Sequence, residues 1–140
     1  MNPGNESFEH EYKLQILEHY LDIYGHVNNA AYFELFEEAR WDWITRGGFG
    51  LNTVQKLGIG PVILEARARF QRELINPQTV VIRSRCTEYR GKIARMEQIM
   101  SREDGKAACS AEFVFGLFDL KARKLIDPTP EWLKAIGRTS

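Results

Sequence analysis

Asp22 and the run Gly25-His26-Val27-Asn28-Asn29 that follows it place one carboxylate just ahead of a segment with helical periodicity. Tyr32, Leu35, Phe36, Ala39 and Trp43 recur at helical spacing, so a helix begins in the His26 to Asn29 stretch. Asn28 or Asn29 suits the N-cap, because a short amide side chain can accept from the first free backbone N–H groups. Amides beyond the cap have no intrahelical acceptor and carry the positive end of the helix dipole, so they can hold a developing oxyanion. A carboxylate within chain reach of such amides is a nucleophile or general base beside an oxyanion site. Those are the two parts that acyl transfer needs.

The elements that must position this pair are legible from pattern. Tyr12, Leu14 and Ile16 alternate with polar residues and predict a strand from Phe8 to His19. The helix extends to about Arg46 and ends at Gly47-Gly48, and a second short helix is predicted from Asn52 to Leu57, closed by Gly58 and Gly60. From Pro61 the period becomes two, giving strands over Val62 to Phe70, Thr79 to Tyr89, Ile93 to Arg102 and Ala107 to Leu120. Turns fall at Leu74 to Pro77, at Arg90-Gly91-Lys92 and at Glu103-Asp104-Gly105, where Asp-Gly suits a tight hairpin. A short helix follows Pro130. One strand, a long helix and four consecutive strands predict an α+β fold, an antiparallel sheet of about five strands wrapped around one long central helix.

At 140 residues, one domain spanning residues 1–140 is expected, with enough chain for a core without disulfides. Nineteen Lys and Arg balance nineteen Asp and Glu, so bulk charge argues against a nucleic-acid partner and leaves any anion site local. Cys86 and Cys109 stand in strand contexts without metal-ligand spacing, which predicts buried thiols in a reducing cytoplasm and no metal. Met1 to Ser7 carry neither the basic nor the apolar region of a leader, and no apolar run is long enough to span a bilayer. The expectation is a soluble, cytoplasmic protein with no membrane partner.

Asp22-Ile23-Tyr24-Gly25-His26-Val27-Asn28-Asn29, followed by Tyr32 and Phe36-Glu37-Glu38-Ala39-Arg40, resembles the signature of the 4-hydroxybenzoyl-CoA thioesterase-like branch of the hotdog-fold acyl-CoA thioesterases. Pro61-Val62-Ile63, Phe70, Pro77 and Tyr89-Arg90-Gly91-Lys92 also fall where members of that family carry similar residues, so the resemblance covers nearly the whole chain. It implies a hotdog fold and hydrolysis of an acyl-CoA thioester to free acid and coenzyme A. Asp22 would attack the carbonyl or activate water, and the N–H of Asn29, with Asn28 beside it, would polarise the carbonyl. Arg90 and Lys92 would meet the phosphates of coenzyme A, which is part of the substrate, so no separate cofactor is implied. The family's sites lie between subunits, which implies a homodimer or homotetramer in which the Pro61 to Glu65 strand lines a partner's pocket. Some members carry a second acidic residue at the position of Tyr20, and this chain does not.

Each residue also has a plainer reading. His26, near a turn, supports the loop by bonding a carbonyl or carboxylate rather than acting as the base. Gly25 and Val27 shape the loop, and Tyr32, counted with the pocket, also belongs to the helix's buried stripe with Leu35, Phe36 and Trp43. Glu65 interrupts an apolar run and either orders water in the pocket or pairs with a base such as Arg67. Arg67, Arg69, Arg83 and Arg85 read as solvent-facing strand positions, whereas Arg90 and Lys92 flank a turn where long cations can meet phosphates. Glu34, Glu37, Glu38, Asp42 and Arg46 read as the helix's solvated face, and Phe33, Trp41 and Phe49 as residues that shape an acyl pocket. Two alternatives share the fold: an acyl-acyl carrier protein thioesterase, and a non-catalytic acyl-CoA-binding module. A hydratase would need Asp22 and His26 as an acid–base pair.

Overall fold

The structure is a computed structural model that describes residues 8–138; Met1 to Ser7, which read as lacking a leader, lie outside the described residues. In chain order the elements are β1 (His10–Gln15), a 3-10 turn (Glu18–Tyr20), α1 (Asn29–Arg46), α2 (Leu51–Leu57), β2 (Ile59–Phe70), β3 (Thr79–Arg90), β4 (Ile93–Arg102), β5 (Ala107–Asp119), β6 (Lys124–Ile126) and α3 (Pro130–Ala135). The sheet order is β1-β3-β4-β5-β2 with every pair antiparallel, and β6 adds to β5. The class is α+β, as expected, with six strands rather than five. β6 is three residues long, too short to show a period. β1 stops at Gln15 because the chain turns into the 3-10 segment, and β2 begins at Ile59 because Gly58 takes a left-handed conformation (φ 68°) that ends α2 at once.

α1 lies on one face of the sheet. It buries Ala31, Tyr32, Leu35, Phe36, Ala39, Trp43 and Ile44, and the sheet answers with alternate residues: Val80 and Ile82 from β3, Ala94 and Met96 from β4, Phe113 and Phe115 from β5. One polar side chain sits inside this packing. Gln98 is fully buried, its Nε2 donates to Phe36 O (3.1 Å) and Ser84 Oγ (3.0 Å), and its Oε1 accepts from Arg40 Nη1 (3.0 Å). A buried amide needs such partners, so Gln98 fixes the register of α1 on the sheet. β1 is tied to α1 as well: His10 Nε2 meets Asp42 Oδ2 at 2.7 Å, and the same oxygen accepts from Arg46 Nε at 2.9 Å. The expected Asp42–Arg46 pair is therefore present with a histidine added. α3 closes the far end, where Trp132 packs edge-on against Phe49 and Phe115 and donates to the Tyr89 hydroxyl.

β2 carries a bulge. Its register against β5 shifts between Ile63 and Glu65, leaving Leu64 as the extra residue. Before the bulge Pro61 and Ile63 stand opposite Leu117 and Phe115; after it Ala66 and Ala68 stand opposite Phe113 and Ala111. Because side chains alternate along a strand, the extra residue switches parity and sends Glu65, Arg67 and Arg69 to the outer face. β2 is also an edge strand, and Ile63, Leu64, Phe70 and the neighbouring Phe33 are exposed along it. Replacing Gln98 by Leu keeps the volume but leaves the Arg40 guanidinium and the Ser84 hydroxyl without their partner, so urea denaturation should show a loss of about 1–3 kcal/mol; an unchanged midpoint would mean Gln98 does not hold α1 in place.

Candidate active site

The loop from Leu21 to Val27 is closed by its own backbone. Leu21 and Val27 form an isolated bridge, Asp22 N donates to His26 O (2.9 Å), and Gly25 N donates to Asp22 O (3.1 Å). Gly25 has φ +78°, a conformation that favours glycine, so this residue is required by the turn. Asp22 Oδ1 accepts from Tyr24 N (2.8 Å) and His26 N (3.4 Å), which anchors the carboxylate. Among the described residues Asp22 Oδ2 has no hydrogen-bond donor. One oxygen is held and the other is available. His26 Nε2 lies 3.1 Å from Glu73 Oε2, and Val27 N donates to Leu74 O (3.0 Å), so the loop is fastened to the segment that leads into β3.

α1 starts where the sequence places it, and its first amides divide unevenly. Asn28 is the N-cap; its side chain accepts from Ala30 N (2.8 Å) and its carbonyl from Ala31 N (2.9 Å). The Asn28 N–H donates to Tyr20 O at 2.9 Å. Among the described residues, the amides from Val27 to Ala31 therefore all have acceptors except that of Asn29. This corrects the pairing of Asn28 with Asn29 as donors: the Asn28 amide is taken by a chain segment that helix periodicity does not reveal. Asn29 itself is exposed.

The other expected site residues are distributed over the subunit. Tyr32 is in the core, edge-on to Phe70 at 5.2 Å, with its hydroxyl 3.4 Å from Arg72 O; burial pushes its pKa up to about 12. Glu65 is exposed on the outer face, turned there by the bulge, with no ion-pair partner among the described residues. Arg90 and Lys92 sit at the far end of the sheet. The Asp22 loop adjoins the Thr79 end of β3, and β3 is twelve residues long, so Arg90 lies at the strand's opposite end, roughly 36 Å on along the extended chain. Glu88 pairs with Arg90 Nε at 2.6 Å, while Lys92 is exposed and has no ion pair among the described residues.

A cavity of 390 Å³ opens between the C-terminal half of α1, the start of β2 and α3, walled chiefly by Trp41, Ile44, Val62, Met96, Trp132 and Ile136. Of the aromatics expected to shape a pocket, Trp41 lines it, Phe49 is buried behind Trp132, and Phe33 stands at the β2 edge. Arg40 also lines it. Sequence reading passed over Arg40 within the motif, although its place four residues after Phe36 and one after Ala39 puts it beside the buried stripe.

A sheet wrapped on one long helix defines the hotdog fold, and a carboxylate-bearing loop precedes the helix start. The chain belongs to the thioesterase-like superfamily, whose family model matches residues 16–136. It is 28% identical over 116 residues to the long-chain acyl-CoA thioesterase FadM of Escherichia coli (strain K12), covering 81% of this chain and 86% of FadM. Among solved structures it is similar to YbaW, a probable thioesterase from Escherichia coli (26% identity, TM-score 0.80, 91% of this chain and 98% of that one). It also shares its fold with the SAV2348 protein of Staphylococcus aureus, solved in complex with CoA (16% identity, TM-score 0.85, 94% and 85%). Among the described residues no helix is long and apolar enough to cross a membrane. Since the Asn28 side chain caps α1, Asn28→Ala should cost about 0.5–2 kcal/mol while Asn28→Asp stays near wild type in thermal melts; equal melting of Asn28→Ala and wild type would remove the cap from the account.

Proposed function

We propose that this thioesterase hydrolyses acyl-CoA thioesters, with Asp22 as the reacting carboxylate and the Asn29 N–H as oxyanion donor. The observation that supports the reading is that the Asp22 loop, whose Oδ1 is held by Tyr24 N and His26 N, leaves Oδ2 without a donor, and that the Asn29 amide at the start of α1 has no acceptor among the described residues. As a nucleophile, Asp22 adds to the thioester carbonyl, the thiolate leaves, and water cleaves the resulting mixed anhydride. As a base, it takes a proton from the water that attacks. Either route gives free acid and coenzyme A, and the thiolate is a good enough leaving group that a second carboxylate, absent at Tyr20, is unnecessary. The Asn29 amide acts on the charge that develops on the carbonyl oxygen. His26, held by Glu73, positions the loop. The scheme uses the chain's own groups, with no metal or cofactor. The similarity to a long-chain acyl-CoA thioesterase supports CoA as the carrier; an acyl carrier protein remains the alternative.

The site is proposed to form between two copies. A two-fold axis pairing the exposed β2 edges antiparallel sets the Ile59 end of one strand beside the Phe70 end of the other. Phe70 packs on Tyr32 in the first turn of α1, so it marks the end of the subunit where Asp22 lies. The Pro61 to Ile63 wall of one cavity would then face the Asp22 loop of its partner. The same pairing would cover Ile63, Leu64, Phe33 and Phe70. Arg90 and Lys92, too distant to serve Asp22 of their own chain, would meet phosphates bound at another subunit's site. Cys86 and Cys109, free and buried, suit a reducing cytoplasm.

Thiol release from a panel of acyl-CoAs should fall by about 10²–10⁴ in Asp22→Ala; wild type and variant releasing thiol at one rate would end the enzyme assignment of this residue. Arg90→Ala and Lys92→Ala together should raise KM for acyl-CoA and leave the truncated acyl-pantetheine thioester unaffected. In multi-angle light scattering, Leu64→Glu should shift a dimer or tetramer toward monomer, and a wild-type monomer would refute the shared site.

A further inference from the structure

The cavity between α1, β2 and α3 is apolar apart from Arg40 and Glu37. Arg40 is held rigidly: Nη1 donates to the fully buried Gln98, and the guanidinium carbon stands 4.6 Å from the centre of the Phe113 ring. Among the described residues it has no ion-pair partner. Burial lowers its pKa to about 10, with the charge of Glu37 opposing the shift; the group is still a cation at neutral pH. None of its nitrogens is sealed against protein without a partner, and Arg40 is one of the residues that line the cavity. Glu37 is exposed and makes no ion pair with Arg40. A guanidinium presents a planar fork of donors that matches a carboxylate, and in a mostly apolar space an anion is the group that offsets its charge. The Arg40–Gln98 contact orients that fork before any ligand arrives.

We propose that this cavity binds an apolar chain ending in a carboxylate, with Arg40 as the carboxylate's partner. Two sources share that chemistry. One is the far end of a dicarboxylic acyl group whose thioester sits at a partner's Asp22, a case that rests on the function proposed above. The other is a free fatty acid, which does not.

The chain's three tryptophans, Trp41, Trp43 and Trp132, all line the cavity, so intrinsic fluorescence reports its occupancy. In titrations of the full chain, dodecanoate should bind at least about tenfold more tightly than dodecanol, the scale of a hydrogen bond to a charged group. Arg40→Met should abolish the difference, and Glu37→Gln, which removes a like charge, should tighten dodecanoate. Equal binding of acid and alcohol by wild type, or a preference that survives Arg40→Met, overturns the proposal. If Arg40→Met does not fold, the wild-type comparison and Glu37→Gln still decide. Turnover then separates the sources: preference for the mono-CoA thioester of dodecanedioic acid over dodecanoyl-CoA, lost in Arg40→Met, identifies the acyl tail, whereas inhibition by dodecanoate without that preference identifies the free acid. Absence of turnover on both thioesters would count against the Asp22 reading and leave the fluorescence result standing.

Discussion

The first turn of α1 has more backbone donors than a helix can satisfy, and the structure depends on how they are satisfied. Tyr20 O takes the Asn28 amide, Leu74 O takes that of Val27, and the Asn28 side chain and carbonyl take those of Ala30 and Ala31. Two of these acceptors come from elsewhere in the chain and two from Asn28 itself. The 3-10 turn after β1 and the lead-in to β3 must therefore both lie against the helix start, and the Ile16 N to Gln78 O bond ties those two segments to each other. A single amide is left over, that of Asn29, seven residues after Asp22. Preorganisation of this kind needs no special residue at the donor itself, since any amino acid but proline has an N–H. It needs neighbours that occupy everything else.

α1 also organises the opposite end of the subunit. Its first turn exposes Asn29 and Ala30 and buries Ala31 and Tyr32, while its C-terminal half borders an apolar cavity. The two are joined by a stripe in which Phe36, Ala39 and Trp43 are buried and Arg40 sits at the margin. Placing a cation there has a desolvation cost that a neutral residue would avoid, and Gln98 and Phe113 only partly offset it. Positions that break a local packing rule in this way tend to be where function is located.

Much of this was legible in the sequence, for identifiable reasons. α1 announced itself through its period and its cap, and the four long strands after it through alternation and glycine turns. What escaped depended on partners remote in sequence. The loss of the Asn28 amide to Tyr20 follows from how the 3-10 turn packs, not from helix spacing. The remoteness of Arg90 and Lys92 from Asp22 follows from strand direction: β3 starts beside the loop and carries its last residue away. The side on which Glu65 stands was hidden for want of one fact, the extra residue at Leu64, since a strand with a bulge and a strand without one have the same composition. β6 and the His10 contact to Asp42 were hidden likewise, the first by its length and the second because nothing in β1 points to a particular helix residue.

The bulge at Leu64 also bears on how far such sheets can grow. A long, flat, partly apolar edge is a template on which further strands can stack without limit. β2 has the length and the apolar residues, but the bulge bends it and sets Glu65, Arg67 and Arg69 on the outer face in alternation. A strand arriving one residue out of step would turn those charges against the apolar side, and a parallel copy would set arginine opposite arginine. By the general rule for sheet edges, a bulge and outward charges of this kind narrow the set of strands that could pair with β2.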